Sequence, residues 1–396
     1  MVGSVVRLFR NEKFQTIGLL LLGIFLFICS LEGVGYGFKL VFSEWANFFL
    51  AMVESGVAPF TGLAIGILST ALLESSSAVI ATTMVSMAGM VEGGLALSSA
   101  IRFGVPMVLG ANVGTTFGCT ITLLSIRRST TLEEFNSTIP CVIVNDVYKM
   151  LTVGLFFIIE VTTGFLSNLV TRTGLFLYDT LRLEVVFGLF EKSVIDIFIS
   201  DPIIKPLGTV LSNFVGPQMG GILFFILWFA LIVISIDFVI TKGLKRLIQT
   251  DWAERVSAAF NNPFKSFATG FSLTWLVGSS SIGTSLAIPM LATKMVTLDE
   301  TYPYICGCGL ATTVDLSQIY GYFAGGSVGV MLGAAHVLLN IFSLVLWLAT
   351  PLRVVPLRIA KGVGRFMAAY RYSALLLLGY AVSVFILLPL IVILFL

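Results

Sequence analysis

Stretches without a single charged residue dominate the chain. Residues 14–31, 55–73, 103–126, 206–236, 266–293, 316–352 and 372–396 contain no Asp, Glu, Lys or Arg. Their apolar positions run on continuously instead of alternating, which predicts helices and argues against a barrel. A helix needs about 20 apolar residues to cross a hydrocarbon core roughly 30 Å thick. Helices also close their backbone hydrogen bonds internally, as lipid requires. The pattern therefore predicts an all-α polytopic membrane protein with several crossings of a lipid bilayer, placed in the cell membrane.

One stretch does not fit a simple crossing. Residues 55–91 carry one charge, Glu74, in 37 positions. As a single helix they would span roughly 55 Å at about 1.5 Å per residue. That is too long for one crossing and too short for two with a turn. A re-entrant helical hairpin with its tip at Ser75-Ser76-Ser77 fits the length, because irregular backbone at membrane depth is tolerated where protein or a cavity surrounds it. Residues 266–293 repeat the pattern, with Gly278, Gly283 and Pro289 as breakers.

The two stretches are copies. Residues 59–77 (PFTGLAIGILSTALLESSS) align with residues 263–281 (PFKSFATGFSLTWLVGSSS), with nine of nineteen pairs identical. Downstream, PMVLGANVGTT (106–116) faces PYICGCGLATT (303–313), and the segment around Asn145–Lys149 faces that around His336–Asn340. The expected organisation is an N-terminal membrane helix and lead-in over 1–54 and repeat 1 over 55–164. An amphipathic connector follows over 165–217, then repeat 2 over 218–371 and a C-terminal membrane helix over 372–396. Each repeat would hold one re-entrant hairpin plus transmembrane helices, the two in inverted orientation. Arg7, Arg10 and Lys13 ahead of the first apolar run suit a retained, anchor-like helix. Basic residues at Lys242–Arg246 and Arg353–Arg371 would lie on the cytoplasmic side.

Composition narrows the chemistry. Hydrophobic residues make up 57% and charged residues 11% of the 396. A soluble domain of ordinary make-up has about 25% charged residues, so that class is excluded. A net charge of +2 gives no reason to expect a nucleic-acid partner. Five cysteines lie mostly inside apolar segments and read as packing residues. Cys306-Gly307-Cys308 lacks a zinc spacing, and a single histidine leaves no His-rich metal site. No cofactor is expected beyond a coupling sodium ion. Serine hydrolysis inside the membrane would need a base, His336 is the only imidazole, and a duplicated serine cluster has no use in that reaction. The chain is read as a non-enzyme.

A serine-rich break within a membrane helix exposes free N–H groups and hydroxyl donors, which suit an anion. Two such breaks, one per repeat, can meet near the midplane. Ser75, Ser76, Ser77, Ser279, Ser280 and Ser281 are the candidate anion ligands. Close helix packing is the competing use of small residues; the duplication weighs against it. Asn112, Thr115, Thr116, Thr312, Thr313 and Asn340 offer oxygens to a hard monovalent cation, and Glu74, Asp146 and Asp315 offer carboxylates. Lys149 stands three residues after Asp146 on the same helix face. It either neutralises that carboxylate or serves as a tethered cation beside the anion. Glu74 would repel an anion unless it is protonated or paired.

These motifs resemble the type II sodium–phosphate cotransporter family, whose two inverted repeats each carry a Gln-Ser-Ser-Ser hairpin and a Gly-Ala/Ser-Asn-Ile-Gly-Thr segment. The first copy here reads Glu74-Ser75-Ser76-Ser77 and Gly110-Ala111-Asn112-Val113-Gly114-Thr115-Thr116. The stretch 333–378 is similar to that family's His-x-x-x-Asn helix, Leu-Trp-x-x-x-Pro exit and basic loop. The resemblance implies sodium-driven uptake of inorganic phosphate by alternating access, with both serine hairpins lining the site. The sequence departs from the family at Glu74, Gly278, Gly309 and Lys149, which fall on cation-ligand positions more than on the serines. Sodium-independent or proton-linked transport of phosphate or another small oxyanion, a passive or exchange pathway, and a non-transporting sensor or scaffold are the alternatives.

Overall fold

The computed structural model describes residues 57–127, 130–180, 201–236, 258–278, 280–292, 294 and 296–395, with six further helical positions between 22 and 36. The basic residues Arg7–Lys13 ahead of the expected N-terminal anchor, most of the polar connector (181–200), the basic run Lys242–Arg246 and Ser279 lie outside these residues.

Among the described residues the chain is helical, with no strand. The chain divides into two compact units. One holds Met1–Ala46 and Lys192–Ala259, the other Asn47–Glu191 and Phe260–Leu396. In the smaller unit Tyr36 packs edge-on against Phe224, and Phe224 against Trp228, with ring centroids 5.7 Å apart in each pair.

The larger unit contains every candidate site residue. Its helices run α1 (Ala58–Leu73), α2 (Ser76–Glu92), α3 (Leu97–Gly114), α4 (Phe117–Ile126), α5 (Leu132–Thr163) and α6 (Phe165–Thr180). After the second unit's segment come α7 (Pro263–Val277), α8 (Ser280–Ser285), α9 (Ala287–Ala292), α10 (Leu298–Ala311), α11 (Leu316–Ala324), α12 (Gly326–Trp347) and α13 (Val354–Ala368). A last helical stretch covers Ser373–Phe395. Leu97–Leu124, Leu132–Thr163, Gly326–Trp347 and Ser373–Phe395 are long and apolar enough to cross a membrane. By contrast α1 and α2 have 16 and 17 residues, roughly 25 Å each at about 1.5 Å per residue, short of the hydrocarbon thickness.

The unit buries polar and ionisable groups within an apolar core and also exposes large apolar side chains. Asp146, Lys149, Asp315, Gln318, His336 and Asn340 are buried, whereas Ile158, Phe176, Leu276, Leu394 and Phe395 are exposed. Buried ionisable groups are unusual for proteins in water and suit lipid, where such groups face the bundle interior.

Two helix pairs pack by matching contacts. A β-carbon on Gly66 would strike the carbonyl oxygen of Met107, and one on Gly110 that of Leu63, so α1 and α3 touch backbone to backbone. A β-carbon on Gly270 would strike the carbonyl of Tyr304, and one on Gly307 that of Phe267, joining α7 and α10 in the same manner. Under the alignment read from the sequence, Gly66 matches Gly270, Gly110 matches Gly307, Leu63 matches Phe267 and Met107 matches Tyr304. Small residues let membrane helices approach this closely. Gly270→Leu is therefore expected to cost more than the about 1–3 kcal/mol of ordinary overpacking, because the clash is with backbone that no rotamer change relieves. The check is size-exclusion chromatography in detergent, where the monodisperse peak should collapse. A native elution profile and melting temperature would refute the close contact.

Candidate functional site at two helix breaks

The first serine cluster sits at a real break. Glu74 ends α1 in the left-handed region, at φ 54°, and its N–H bonds the Thr70 carbonyl at 2.9 Å. Ser75 is extended and caps α2, its Oγ accepting from the Ala78 N–H at 3.2 Å. A serine N-cap satisfies one of the free N–H groups at a helix start. The second cluster repeats the exit: Gly278 ends α7 at φ 71°, with its N–H on the Thr274 carbonyl at 2.8 Å. Glycine tolerates that backbone freely and glutamate does not, so Glu74 carries strain that its counterpart avoids. Beyond Gly278 the helices are short. The dipole argument therefore applies to α2, and the second cluster contributes hydroxyls.

A second pair of breaks lies downstream. Thr115 and Thr116 separate α3 from α4; Thr312–Asp315 separate α10 from α11. All four threonines are buried and donate to carbonyls in the preceding turn, at 2.7–3.0 Å. Their donors are thus used, and their oxygen lone pairs remain.

The two kinds of break meet reciprocally. Ser77 Oγ donates to Asp315 Oδ2. Ser281, its counterpart, donates to the Thr115 carbonyl at 3.2 Å. So the third serine of each cluster reaches the downstream break of the other half. Asp315 also caps α11, its Oδ1 accepting from the Gln318 N–H at 2.9 Å. Gln318 Nε2 donates to the Ser77 carbonyl at 3.0 Å, and Gln318 Oε1 lies 3.3 Å from His336 Nδ1. An amide oxygen only accepts, so Nδ1 carries the proton and Nε2 has a free lone pair. On the other side, Cys119 lies 2.9 Å from Thr284, and Thr122 lies 2.9 Å from Ser285. Gly118 separates Glu74 from Ser281: a β-carbon there would strike the Glu74 carboxylate and approach Ser281 Cβ at 3.2 Å.

Acceptors without donors cluster on the long helices. Asn145 Oδ1, Asp146 Oδ1, Tyr148 OH and His336 Nε2 are buried without a hydrogen-bond partner. Asp146 Oδ2 accepts from Tyr380 at 3.0 Å, and Thr116 lies beside the same carboxylate. Asn340 Nδ2 donates to the His336 carbonyl at 3.0 Å, leaving Oδ1 beside Gly309. Of the two readings of Lys149, an ion pair with Asp146 within 4.0 Å is not formed. Among the described residues the ion pairs within 4.0 Å are Lys205–Asp201, Lys294–Glu133 and Lys361–Asp299, so Lys149 pairs with neither Asp146 nor Glu74.

The sequence profile of the Na+/Pi-cotransporter family matches residues 26–166 and 231–380. The chain belongs to this family. It is similar to sodium-dependent phosphate transport protein 2B of Pongo abelii, 24% identical over 460 residues, covering 95% of this chain and 65% of that protein. It is also similar to sodium-dependent phosphate transport protein 2A of Rattus norvegicus, 24% identical over 440 residues, covering 96% and 67%. The chain thus spans about two thirds of the length of these relatives. No solved structure matches.

In this family member Ser75, Ser76, Ser77, Ser280 and Ser281 are buried, and of these Ser77 and Ser281 reach Asp315 and Thr115 across the duplicated segments. Asn112, Thr312 and Thr313 are buried on the flanking helix ends. Sequence reasoning missed Gln318, which binds Ser77, Asp315 and His336, and also Tyr380, Tyr148 and Gly118. The absence of a glutamine before either serine triplet was visible; the amide that Gln318 brings to the Ser77 carbonyl was not.

Proposed function

We propose that this chain moves inorganic phosphate across the cell membrane as a multi-pass secondary transporter, coupled to sodium and working by alternating access. The single observation that carries the reading is the reciprocal seating of Ser77 on Asp315 and Ser281 on Thr115. It ties the first serine break to the break at Thr312–Asp315 and the second to the break at Thr115–Thr116. The matched glycine contacts of α1–α3 and α7–α10 and the two-segment family match support an inverted repeat with two re-entrant hairpins. In that arrangement the serine hydroxyls and the first N–H groups of α2 hold the anion. The oxygens of Asn112, Thr115, Thr116, Asp146, Thr312, Thr313, Asp315 and Asn340 serve the cation. The similar proteins are named for sodium-dependent phosphate transport, which agrees with the chemistry of these groups.

The test is radiolabelled phosphate uptake into proteoliposomes holding the purified chain, with inward sodium and pH gradients imposed separately. Accumulation above the external concentration with sodium, and loss of it in choline, is the expected result. Equilibration without accumulation under every gradient would make the chain a passive pathway.

A further inference from the structure

A basic helix joins two helices of membrane-crossing length. Between Gly326–Trp347 and Ser373–Phe395, both long and apolar enough to cross, the chain forms α13 (Val354–Ala368). A short segment linking two crossings lies at one face of the membrane. Its contacts agree with that place. Lys361 Nζ donates to Asp299 Oδ2, in the first turn of α10, at 2.7 Å. A β-carbon on Gly364 would lie 2.5 Å from the ring of Pro140, near the start of α5. Ser373 Oγ donates to Asn136 Oδ1, also near the start of α5, at 2.7 Å. So α13 rests across the end of the bundle where α5 and α10 begin.

At about 3.6 residues per turn, α13 presents three faces. Pro356, Leu357, Ala360, Gly364 and Met367 are buried and form the protein side. Arg358, Lys361 and Arg365 are exposed at i, i+3 and i+7, one stripe along the helix. Ile359 and Phe366 are exposed seven positions apart on the remaining face. Just past the helix, the exposed Tyr370 ring rests against Phe366, with centroids 5.3 Å apart. Arg353 and Arg371 flank the helix, both exposed. Nothing local balances this charge: residues 316–396 contain no Asp or Glu. Among the described residues Lys361 alone of these five has an ion-pair partner, and Arg365 Nε donates to the Lys361 carbonyl at 3.2 Å. A basic stripe beside an apolar stripe is the pattern of a helix lying in the membrane interface. Guanidinium groups match phosphate oxygens in pairs, and the cytoplasmic leaflet, the side expected for this basic run, carries the anionic lipids. A soluble anion has no use for the apolar stripe. We propose that α13 is a docking surface for anionic phospholipids, with Arg358 and Arg365 on the headgroup phosphate and Ile359 and Phe366 among the acyl chains. A lipid seated there holds α13 against α5 through the Gly364–Pro140 contact. The inference is independent of the phosphate path at the serine breaks.

The experiment titrates the purified full chain, in neutral detergent, with dioleoylphosphatidylglycerol or dioleoylphosphatidylcholine and follows the melting temperature. A ligand of the folded state raises it. The anionic lipid is expected to raise it saturably and the zwitterionic lipid to leave it unchanged, with the rise shrinking as salt increases. Arg358→Gln combined with Arg365→Gln should weaken phosphatidylglycerol binding by roughly tenfold or more, because each basic group near an anionic surface adds to the attraction. Arg358→Lys with Arg365→Lys keeps both charges and should lose only about two- to threefold. Phe366→Ser should weaken binding while leaving the salt dependence as it was. If the glutamine pair does not fold, Arg358→Gln alone is used, with a loss of about threefold expected. Repeating the titration in saturating inorganic phosphate, at matched ionic strength, should leave the lipid effect intact. Equal stabilisation by the choline lipid, wild-type affinity for phosphatidylglycerol in the glutamine variant, or a lipid effect abolished by inorganic phosphate overturns the proposal.

Discussion

Asp315→Asn is expected to fold normally and to lose most phosphate uptake. Asp315 has two separable roles. It caps α11 through the Gln318 N–H, and it accepts the Ser77 hydroxyl from the first serine break. Asparagine ranks with aspartate as a helix cap, so the start of α11 should survive. With Oδ1 kept on the Gln318 N–H, the Nδ2 that replaces Oδ2 only donates, so the Ser77 hydroxyl must turn to accept from it. What disappears is the negative charge, which in the proposed mechanism faces the cation. Uptake should fall by about tenfold or more, equivalent to roughly 1.4 kcal/mol or more of lost stabilisation, with the melting temperature near that of wild type. Asp315→Ala should do worse on both counts. Its loss of the cap costs about 0.5–2 kcal/mol, and it leaves the Ser77 hydroxyl and the Gln318 N–H buried without their acceptor. Uptake by Asp315→Asn within twofold of wild type, measured in sodium-loaded proteoliposomes, would reduce Asp315 to a cap.

The difference between those two variants marks the limit of what could be read from the chain. Charge-free runs identify helices in lipid because the bilayer imposes one coarse rule along the whole length. The repeat was legible because duplicated segments keep local features at fixed spacing: the serine triplets, the threonine pairs and the glycines at 66 and 270. The breaks at Glu74 and Gly278 follow from the same local chemistry. Partners across the fold obey no such spacing. Ser77 and Asp315 are 238 positions apart, and nothing near either residue announces the other. Gln318 carried no signal, since a glutamine in an apolar run is ordinary until its three partners are known. Lys149 shows the same limit from the other side, because its spacing left two readings open. Its spacing from Asp146 permits an ion pair on one helix face, but the rotamers take Asp146 to Tyr380 instead.

Gly118→Val is expected to block transport while leaving the chain folded. Gly118 lies in α4, just past the Thr115–Thr116 break, with the Glu74 carboxylate on one side and Ser281 Cβ on the other. Its lack of a side chain is what lets residues of both serine clusters approach the same stretch of backbone. A valine here meets two different obstacles. The Glu74 carboxylate is the end of a flexible chain on a half-buried residue and can swing away at small cost. Ser281 Cβ is fixed to its own backbone and bonded to Thr115, so it must shift or lose that bond. The fold should therefore lose no more than the about 1–3 kcal/mol typical of overpacking, a moderate drop in melting temperature. Displacement of about 1 Å in a ligand-positioning group is worth up to about a hundredfold in rate, so uptake should fall far more than stability. Gly118→Ala should be intermediate, since a single methyl displaces Glu74 first. The decisive comparison is the concentration dependence of phosphate uptake for the two variants. A graded rise in the half-saturating phosphate concentration from Gly118 to alanine to valine is expected when the two clusters together hold the anion. A valine variant with unaltered half-saturation and rate would mean that the space between Glu74 and Ser281 is not on the phosphate path.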